Sequence, residues 1–308
     1  MSLAPIVLFV YNRLWHTQQT VEALKKNELA EESELFIFSD ALKGKDDNEK
    51  IKEVRNYVKT INGFKNVTIV EREENFGLAK SIITGVTEIV NRYDKIIVME
   101  DDVVTLPYFL TFMNDALIFY KDNPRIFTIT GYSFPVKIPI DYHYPVYLSY
   151  RHSSWGWGTW KENWVNVDWD VKDFHEFFKN RRTVKTFNRG GNDLTDMLSD
   201  QISGKIDSWA IRFNYYCFKS SGLCLLPVKS VVKNIGFDGS GVHCGVTTKY
   251  EVEFPSVFGK DMKLPKDIHL DQRIIEALKA KLDYSLSIRA KKIASRLKTM
   301  IFRGQIKN

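Results

Sequence analysis

The chain has 308 residues, 44% of them hydrophobic and 27% charged, and its formal net charge is +6. This is the composition of a globular protein, and it excludes disordered, collagen-like and coiled-coil chains. Seven basic residues and no acidic residue lie within 285–308, so the rest of the chain is near neutral and is not expected to bind nucleic acid.

Short apolar runs alternate with segments of helical period over the first 130 residues. The pattern predicts strands over 5–10, 34–38, 66–70 and 95–99, and helices over 17–26, 49–59, 78–91 and 107–120. Strands that alternate with helices of roughly 10–15 residues imply βαβ units. We therefore predict an α/β fold with a mainly parallel sheet and helices on both faces.

Beyond residue 130 this alternation is lost. The features that follow are a tryptophan-rich block (155–169), a predicted helix (207–218), a predicted strand (223–226) and a glycine-rich loop (234–243). After Pro265 a helical pattern runs close to the C-terminus. We expect a folded domain over 1–255 and a helical, basic extension over 256–308.

The sequence carries no mark of export or of a membrane span. Its three cysteines, at 217, 224 and 244, are too few and too scattered for a disulfide framework. The N-terminus lacks a signal peptide pattern, and no apolar run approaches the ~20 residues of a spanning helix. We expect a cytoplasmic protein.

Three consecutive acids, Glu100, Asp101 and Asp102, directly follow the fourth predicted strand. Ligands of parallel sheets bind beyond the carboxyl ends of the strands. Adjacent carboxylates repel one another unless a cation or hydrogen-bond donors neutralise them. One acid could cap the following helix, but a cap needs only one. A site for Mn²⁺ or Mg²⁺, which prefer oxygen ligands, is therefore favoured.

The strand ending in Glu-Asp-Asp resembles the metal motif of nucleotide-sugar glycosyltransferases with the GT-A fold. Residues 103–109 and 122–133 are similar to the stretch after that motif in animal N-acetylglucosaminyltransferase I, and the overall layout resembles related bacterial sugar transferases. This resemblance implies a GT-A catalytic domain over 1–255. Its nucleotide-sugar-binding half would be 1–130 and its acceptor-binding half 131–255.

The same resemblance implies a role for each acid and for two earlier residues. Asp102 would contact the divalent ion, Asp101 the ribose and Glu100 the donor sugar. Arg13 resembles the arginine that meets the diphosphate, and Asp40 resembles the acid that accepts a hydrogen bond from uracil. Alternatively, Arg13 is a solvated residue at the start of a helix, and Asp40 is a turn residue.

The segment from Asn75 to Lys80 resembles the loop that opens a helix beside the nucleotide, although Asn75 is also an ordinary turn former. Asp207 stands where the family has an Asp-x-Trp whose carboxylate is the catalytic base. The reaction requires such a group, because an acceptor hydroxyl must lose its proton as it attacks. The alternatives are an N-cap role for Asp207 and Asp238 as the base.

Trp157 lies in a block where glycines alternate with tryptophans. Indole faces suit the C–H faces of sugars, so we predict that Trp157 lines a donor or acceptor pocket; the alternative is a core position. The glycine-rich loop resembles one that closes over the donor. We predict that His243 in this loop reaches the metal or the diphosphate. The alternative is a solvent-exposed position.

Residues 285–308 have apolar residues at helical spacing and basic residues on another face. Such a helix can contact an anionic membrane, or pack on the domain.

The expected protein is a metal-dependent, inverting glycosyltransferase that moves a hexosyl or N-acetylhexosaminyl group from a UDP-sugar to a carbohydrate or lipid-linked acceptor. The bacterial resemblance implies surface polysaccharide or lipopolysaccharide synthesis, at the inner face of the membrane.

Two other classes of protein stay open. A nucleotidyltransferase acting on sugar phosphates would have a glycine-rich loop after the first strand, where this chain has none before Arg13. A non-catalytic carbohydrate-binding or membrane-associated protein would leave the three acids unexplained.

Overall fold

The computed structural model describes residues 2–44, 48–241, 246–254 and 262–283. Its strands are β1 (Ile6–Val10), β2 (Glu34–Ser39), β3 (Asn66–Glu71), β4 (Lys95–Glu100), β5 (Val103–Thr105), β6 (Ile126–Thr130), β7 (Val146–Ser149), β8 (Trp157–Trp160), β9 (Leu223–Pro227) and β10 (Val232–Asn234). The α-helices are α1 (Leu14–Lys25), α2 (Asn48–Val58), α3 (Gly77–Tyr93), α4 (Phe109–Phe119), α5 (Lys161–Trp164), α6 (Phe174–Lys179), α7 (Arg181–Phe187), α8 (Leu194–Ile202), α9 (Trp209–Lys219) and α10 (Gln272–Leu282). A single 3₁₀ turn, Asn188–Gly190, separates α7 from α8.

Eight strands form one sheet in the order β3-β2-β1-β4-β8-β6-β9-β7. The strands β3, β2, β1 and β4 are parallel to one another, as are β6 and β9, whereas β8 and the edge strand β7 are antiparallel to their neighbours. The predicted α/β class with a mainly parallel sheet is confirmed. In register, Val10 pairs with Ser39 and Phe9 with Glu100, so β1, β2 and β4 end at the same edge of the sheet.

β1 is apolar throughout because both of its faces are covered by helices. Ile6 and Leu8 belong to a core shared with α1, α2, α4 and α10, and Val7 and Phe9 belong to a core shared with α3 and α9. A third apolar cluster packs α6, α7 and α8 against α9. The helices therefore lie on both faces of the sheet, as predicted.

The ten segments predicted as strands or helices are all present, with ends that differ by at most a few residues. The strands β5, β6, β7, β8 and β10 were not predicted, because none is a continuous apolar run of the kind that predicts a buried strand, and each pairs with strands far away in the sequence. α10 lies within the predicted extension and buries Ile274, Ile275, Leu278 and Leu282 in the domain core. In the described ranges, no helix has the length and hydropathy that crossing a membrane requires.

A second, two-stranded sheet positions the glycine-rich loop. β10 pairs antiparallel with β5, and Asn234 is opposite Val103. Since β5 follows the three acids directly, this pairing brings the start of the loop beside them.

Candidate active site

Arg13 and the three acids form the centre of the site at the carboxyl ends of β1 and β4. The Nη2 atom of Arg13 donates to Asp101 Oδ1 and, at 2.8 Å, to Asp102 Oδ2, while its Nε donates to Asp101 Oδ2 at 3.3 Å. Asp101 is only 6% exposed. Its carboxylate therefore orients Arg13, and a contact between Asp101 and ribose stays a prediction.

The acids carry more negative charge than one arginine neutralises. Burial raises the pKa of Glu100 to about 8, and the charges of Asp102 and Asp101 add to that effect. Burial also raises the pKa of Asp101 to about 6, although Arg13 opposes this rise. Burial acts to lower the pKa of Arg13, but its two carboxylate partners outweigh burial and raise that pKa. A bound cation would relieve the excess negative charge.

The glycine-rich loop closes one side of this cluster. Asn234 Nδ2 donates to Asp102 Oδ1 at 3.2 Å, and the Ile235 N–H donates to the Asp102 carbonyl at 2.8 Å. At Gly236 a Cβ would lie 2.2 Å from Asp102 Oδ2 and 3.0 Å from Arg13 Nη1. Only glycine allows so close an approach. Arg13 Nη1 is buried, and no residue in the described part of the chain accepts a hydrogen bond from it.

The next residues of the loop dock on neighbouring elements. Asp238 Oδ2 lies 3.1 Å from His16 Nε2 at the start of α1. The Phe237 ring stacks on Tyr250 with centroids 5.6 Å apart and meets the edge of Trp155 at 5.4 Å. The pairing of Asp238 with His16 ties the loop to α1, and a role for Asp238 as the base stays a prediction.

Asp40 and Asn75 organise the segment that opens α3. Asp40 Oδ1 accepts hydrogen bonds from the N–H groups of Phe76 (2.9 Å) and Ala41 (3.0 Å), and Oδ2 accepts one from Gly77 (3.0 Å). Asn75 Nδ2 donates to the Ala41 carbonyl at 2.7 Å. Asp40 therefore caps the start of α3 from a distant position in the sequence. Its hydrogen bond with the next residue, Ala41, fits the alternative that Asp40 is a turn residue. Contact of either residue with a nucleotide stays a prediction.

Phe76 is a feature of the site that was not predicted from the sequence. The Arg72 guanidinium lies 4.2 Å and the Lys80 ammonium 3.9 Å from the centroid of its ring. Lys80 is exposed, and Glu74 lies 3.8 Å from its Nζ. The Phe76 contacts could have been predicted from the sequence, because an aromatic residue lies between two basic residues directly before a predicted helix.

Asp207 lies at the N-terminus of α3. Its Oδ2 accepts a hydrogen bond from the Ala79 N–H at 3.4 Å, Arg212 Nη2 is 3.6 Å from Oδ1, and the side chain is 55% exposed. α9 is capped by Ser208, whose Oγ accepts from the Ile211 N–H. The N-cap alternative for Asp207 is therefore wrong, and its carboxylate faces the helix end that Asp40 also caps.

The prediction that Trp157 lines a sugar pocket is wrong. Its side chain is 0% exposed, lies on β8 between two other strands, and stacks on Trp209 at 4.7 Å with Trp164 at 5.5 Å. A residue enclosed in this way cannot contact a ligand. Trp155 is the member of the block that is half-buried beside Phe237 and the loop.

His243 and residues 285–308 lie outside the described residues. Within the described ranges, no group of three or more His, Cys, Asp or Glu side chains is arranged to hold a metal ion. Manganese or magnesium binding is therefore a proposal.

No protein-family model and no curated protein matches the sequence. Among solved structures, the chain is similar to S. aureus TarS, with a TM-score of 0.42 and 9% identity over 75% of this chain and 36% of TarS. It is also similar to TarS 1-349 in complex with UDP-GlcNAc, with a TM-score of 0.37 and 12% identity over 75% of this chain and 58% of that one. A further similarity is to the mannosyltransferase PcManGT from Pyrobaculum calidifontis in complex with GDP-Man and Mn²⁺. Here the TM-score is 0.41, with 12% identity over 71% of this chain and 68% of that one. The chain thus spans little more than a third of that TarS chain.

Proposed function

We propose that the chain is a GT-A-type glycosyltransferase that binds a nucleoside diphosphate sugar, most simply a UDP-sugar, and transfers the sugar to a hydroxyl group. The observation that carries this proposal is the cluster of Arg13, Asp101 and Asp102 at the carboxyl edge of parallel strands. Leaving a buried donor such as Arg13 Nη1 without a partner costs about 1–3 kcal/mol. A diphosphate oxygen would satisfy this donor.

The residues at this edge fit a divalent cation. Asp102 and Glu100 provide the carboxylate oxygens that Mn²⁺ and Mg²⁺ prefer, and Mg²⁺ is usually held by one or two carboxylates together with substrate phosphates. Binding of the cation therefore does not require a complete set of protein ligands. Asp102 Oδ1 keeps a lone pair beside its bond from Asn234. When bound, the cation would act as a Lewis acid toward the leaving diphosphate.

Asp207 would deprotonate the acceptor hydroxyl. Its Oδ2 accepts a hydrogen bond from the Ala79 N–H at the start of α3, and Arg212 lies 3.6 Å from its Oδ1. These contacts hold the carboxylate in place, and a general base must be positioned within reach of the proton that it takes. A single displacement with this base inverts the anomeric centre. Its exposure leaves the carboxylate accessible to a carbohydrate or lipid-linked acceptor.

The remaining predicted residues complete the proposal. Asp40, Asn75 and Lys80 would border the nucleotide, and His243 would reach the cation or the diphosphate. Contact of residues 285–308 with an anionic membrane, in surface polysaccharide or lipopolysaccharide synthesis, also belongs to the proposal. Co-sedimentation of the full chain with phosphatidylglycerol vesicles tests that contact, and deletion of 285–308 should abolish it.

Release of nucleotide from donor sugars tests the transferase activity directly. UDP-GlcNAc and GDP-Man, which are present in the TarS 1-349 and PcManGT complexes, are the first donors to incubate with the chain and Mn²⁺. We expect the chain to hydrolyse one of these donors and release its nucleotide, with water taking the place of the acceptor. Asp207→Asn should reduce it by about 100-fold without weakening UDP binding.

Asp122→Asn, at an exposed aspartate away from these residues, is the matched control and should retain full activity. Wild-type turnover by Asp207→Asn would show that another group is the base. Failure to release nucleotide from any donor of a wider panel would contradict the proposed activity.

A further inference from the structure

An open groove with a volume of about 1190 Å³ lies between α7, α8 and α10. Five basic and two acidic side chains line it, together with the rings of Tyr150 and Phe178. None of the residues assigned to the candidate active site belongs to its walls.

The groove opens at the sheet edge opposite the three acids. Tyr150 follows Ser149, the last residue of β7, and the strand register places Ser149 level with Ile96 through β9, β6 and β8. Ile96 is the second residue of β4, whereas Glu100 is its last. The groove is therefore a separate site.

Within the described residues, four of the five basic side chains that line the groove form no ion pair. Arg181, Arg182, Lys185 and Arg189 are exposed, and no acidic side chain of the described residues forms an ion pair with any of them. Like charges three and four residues apart on a helix repel one another. This repulsion within α7 would be relieved by a bound anion.

The acid at the far wall of the groove does not offset this charge. Asp283 accepts a hydrogen bond from the Asn192 N–H at 2.7 Å and lies 3.7 Å from Lys279 Nζ, so its charge is already partnered. α10, which carries Lys279, leads along the chain to the seven basic residues of 285–308.

The size of the groove and its side chains indicate the kind of ligand. Pockets for drug-sized molecules measure about 300–1,000 Å³, so this groove exceeds what a single sugar or phosphate fills. The planar guanidinium group of arginine can donate two parallel hydrogen bonds to a pair of phosphate oxygens. A concave groove suits a chain-like ligand better than it suits the flat surface of a bilayer. We infer that the groove binds an extended polyanion whose charges are phosphate groups. As part of the acceptor, this ligand would be a phosphate-bearing glycan, an assignment that rests on the proposed function.

Binding of fluorescein-labelled inorganic polyphosphate to the full chain, followed by fluorescence anisotropy, tests the inference. The groove variant combines Arg182→Gln with Lys185→Gln. The control variant combines Lys26→Gln with Lys50→Gln, two exposed lysines of which the first directly follows α1 and the second lies on α2. We expect the groove variant to bind at least about fivefold more weakly, with a salt dependence shallower by about two units. The control should bind like the wild type.

Three results would overturn the inference. They are equal affinity of the groove variant and the control for polyphosphate, displacement of the probe by inorganic phosphate at equal total phosphate, and groove substitutions that weaken the binding of phosphatidylglycerol vesicles more than the binding of polyphosphate. The UDP response of the same proteins separates the two sites. A groove variant that loses polyphosphate but keeps UDP supports the inference, whereas a wild type that binds polyphosphate but never UDP contradicts only the proposed function.

Discussion

Arg13 is the residue on which the geometry of the acids depends. It is the counter-ion of both Asp101 and Asp102, and its side chain is 18% exposed. The resemblance singled out Arg13 and the three acids, because short motifs at strand ends can be read from sequence. It could not show that Arg13 pairs with the acids, since that contact joins residues 88 and 89 positions apart.

Replacing Arg13 should therefore destabilise the fold strongly. In Arg13→Gln the buried carboxylates lose their counter-ion, and breaking a buried pair costs about 3–5 kcal/mol. The measurement is urea unfolding at neutral pH without metal. Arg92→Gln, at an exposed pair with Glu88, is the control and should cost at most about 1 kcal/mol. Equal, small losses in both variants would show that the Arg13 pairs do not hold the acids.

His152 makes the folded state sensitive to acid. Burial lowers its pKa to about 3, and the groups that face it are the rings of Trp157, Trp209 and Phe213 and the uncharged Thr128. The unfolded chain takes up this proton near pH 6.5. The contribution of His152 to stability is thus complete above about pH 6.5 and is lost as the pH falls toward 3.

His152→Gln should flatten the loss of stability between about pH 6 and 4 by up to about 1.4 kcal/mol per pH unit. Urea unfolding at a series of pH values measures this slope. His143→Gln changes an exposed histidine and should leave the slope unchanged. A slope in His152→Gln that equals the wild-type slope would contradict a neutral, buried His152.

At the scale of elements, the continuity of an apolar run decided which strands could be predicted. The apolar strands of five or six residues before residue 100 were predicted, because buried parallel strands are continuous apolar runs. β8 has four residues, and its alternation of glycine and tryptophan predicts a ligand pocket rather than a strand. In the structure Gly158 lets β8 pass beside β4, since a Cβ there would lie 2.8 Å from the Ile96 carbonyl oxygen. Such close passage between distant strands leaves no local signal.

The loop after β10 should tolerate no side chain at Gly236. In Gly236→Ala the new methyl group would meet Asp102 Oδ2, so the loop must shift away from the acids. We expect a lower melting temperature and at least about tenfold weaker UDP binding, since one lost charge-assisted contact accounts for that much. Differential scanning fluorimetry and calorimetry measure the two effects.

Gly44→Ala is the control for this substitution, because nothing lies within 4 Å of its Cβ position. It should leave both the melting temperature and UDP affinity close to those of the wild type. Wild-type UDP binding by Gly236→Ala would mean that the loop takes no part in the site.

At the scale of the whole molecule, the sheet separates two differently charged edges. Glu100, Asp101 and Asp102 lie at the carboxyl ends of the parallel strands, and the basic groove lies at the opposite edge, beside α7 and α10. The two cores on either side of the sheet join these edges into one body. Under the proposed function, this arrangement would hold a long acceptor at a distance from the three acids.

The central claim is that the three acids and Arg13 bind a nucleoside diphosphate together with a divalent cation. Calorimetric titration of UDP into the wild type and into Asp102→Asn, each with Mn²⁺ and with EDTA, tests it most directly. We expect the wild type to bind UDP with Mn²⁺ and at least about tenfold more weakly with EDTA, and Asp102→Asn to bind weakly in both. UDP binding that is absent from the wild type, or that neither EDTA nor Asp102→Asn changes, would contradict the claim.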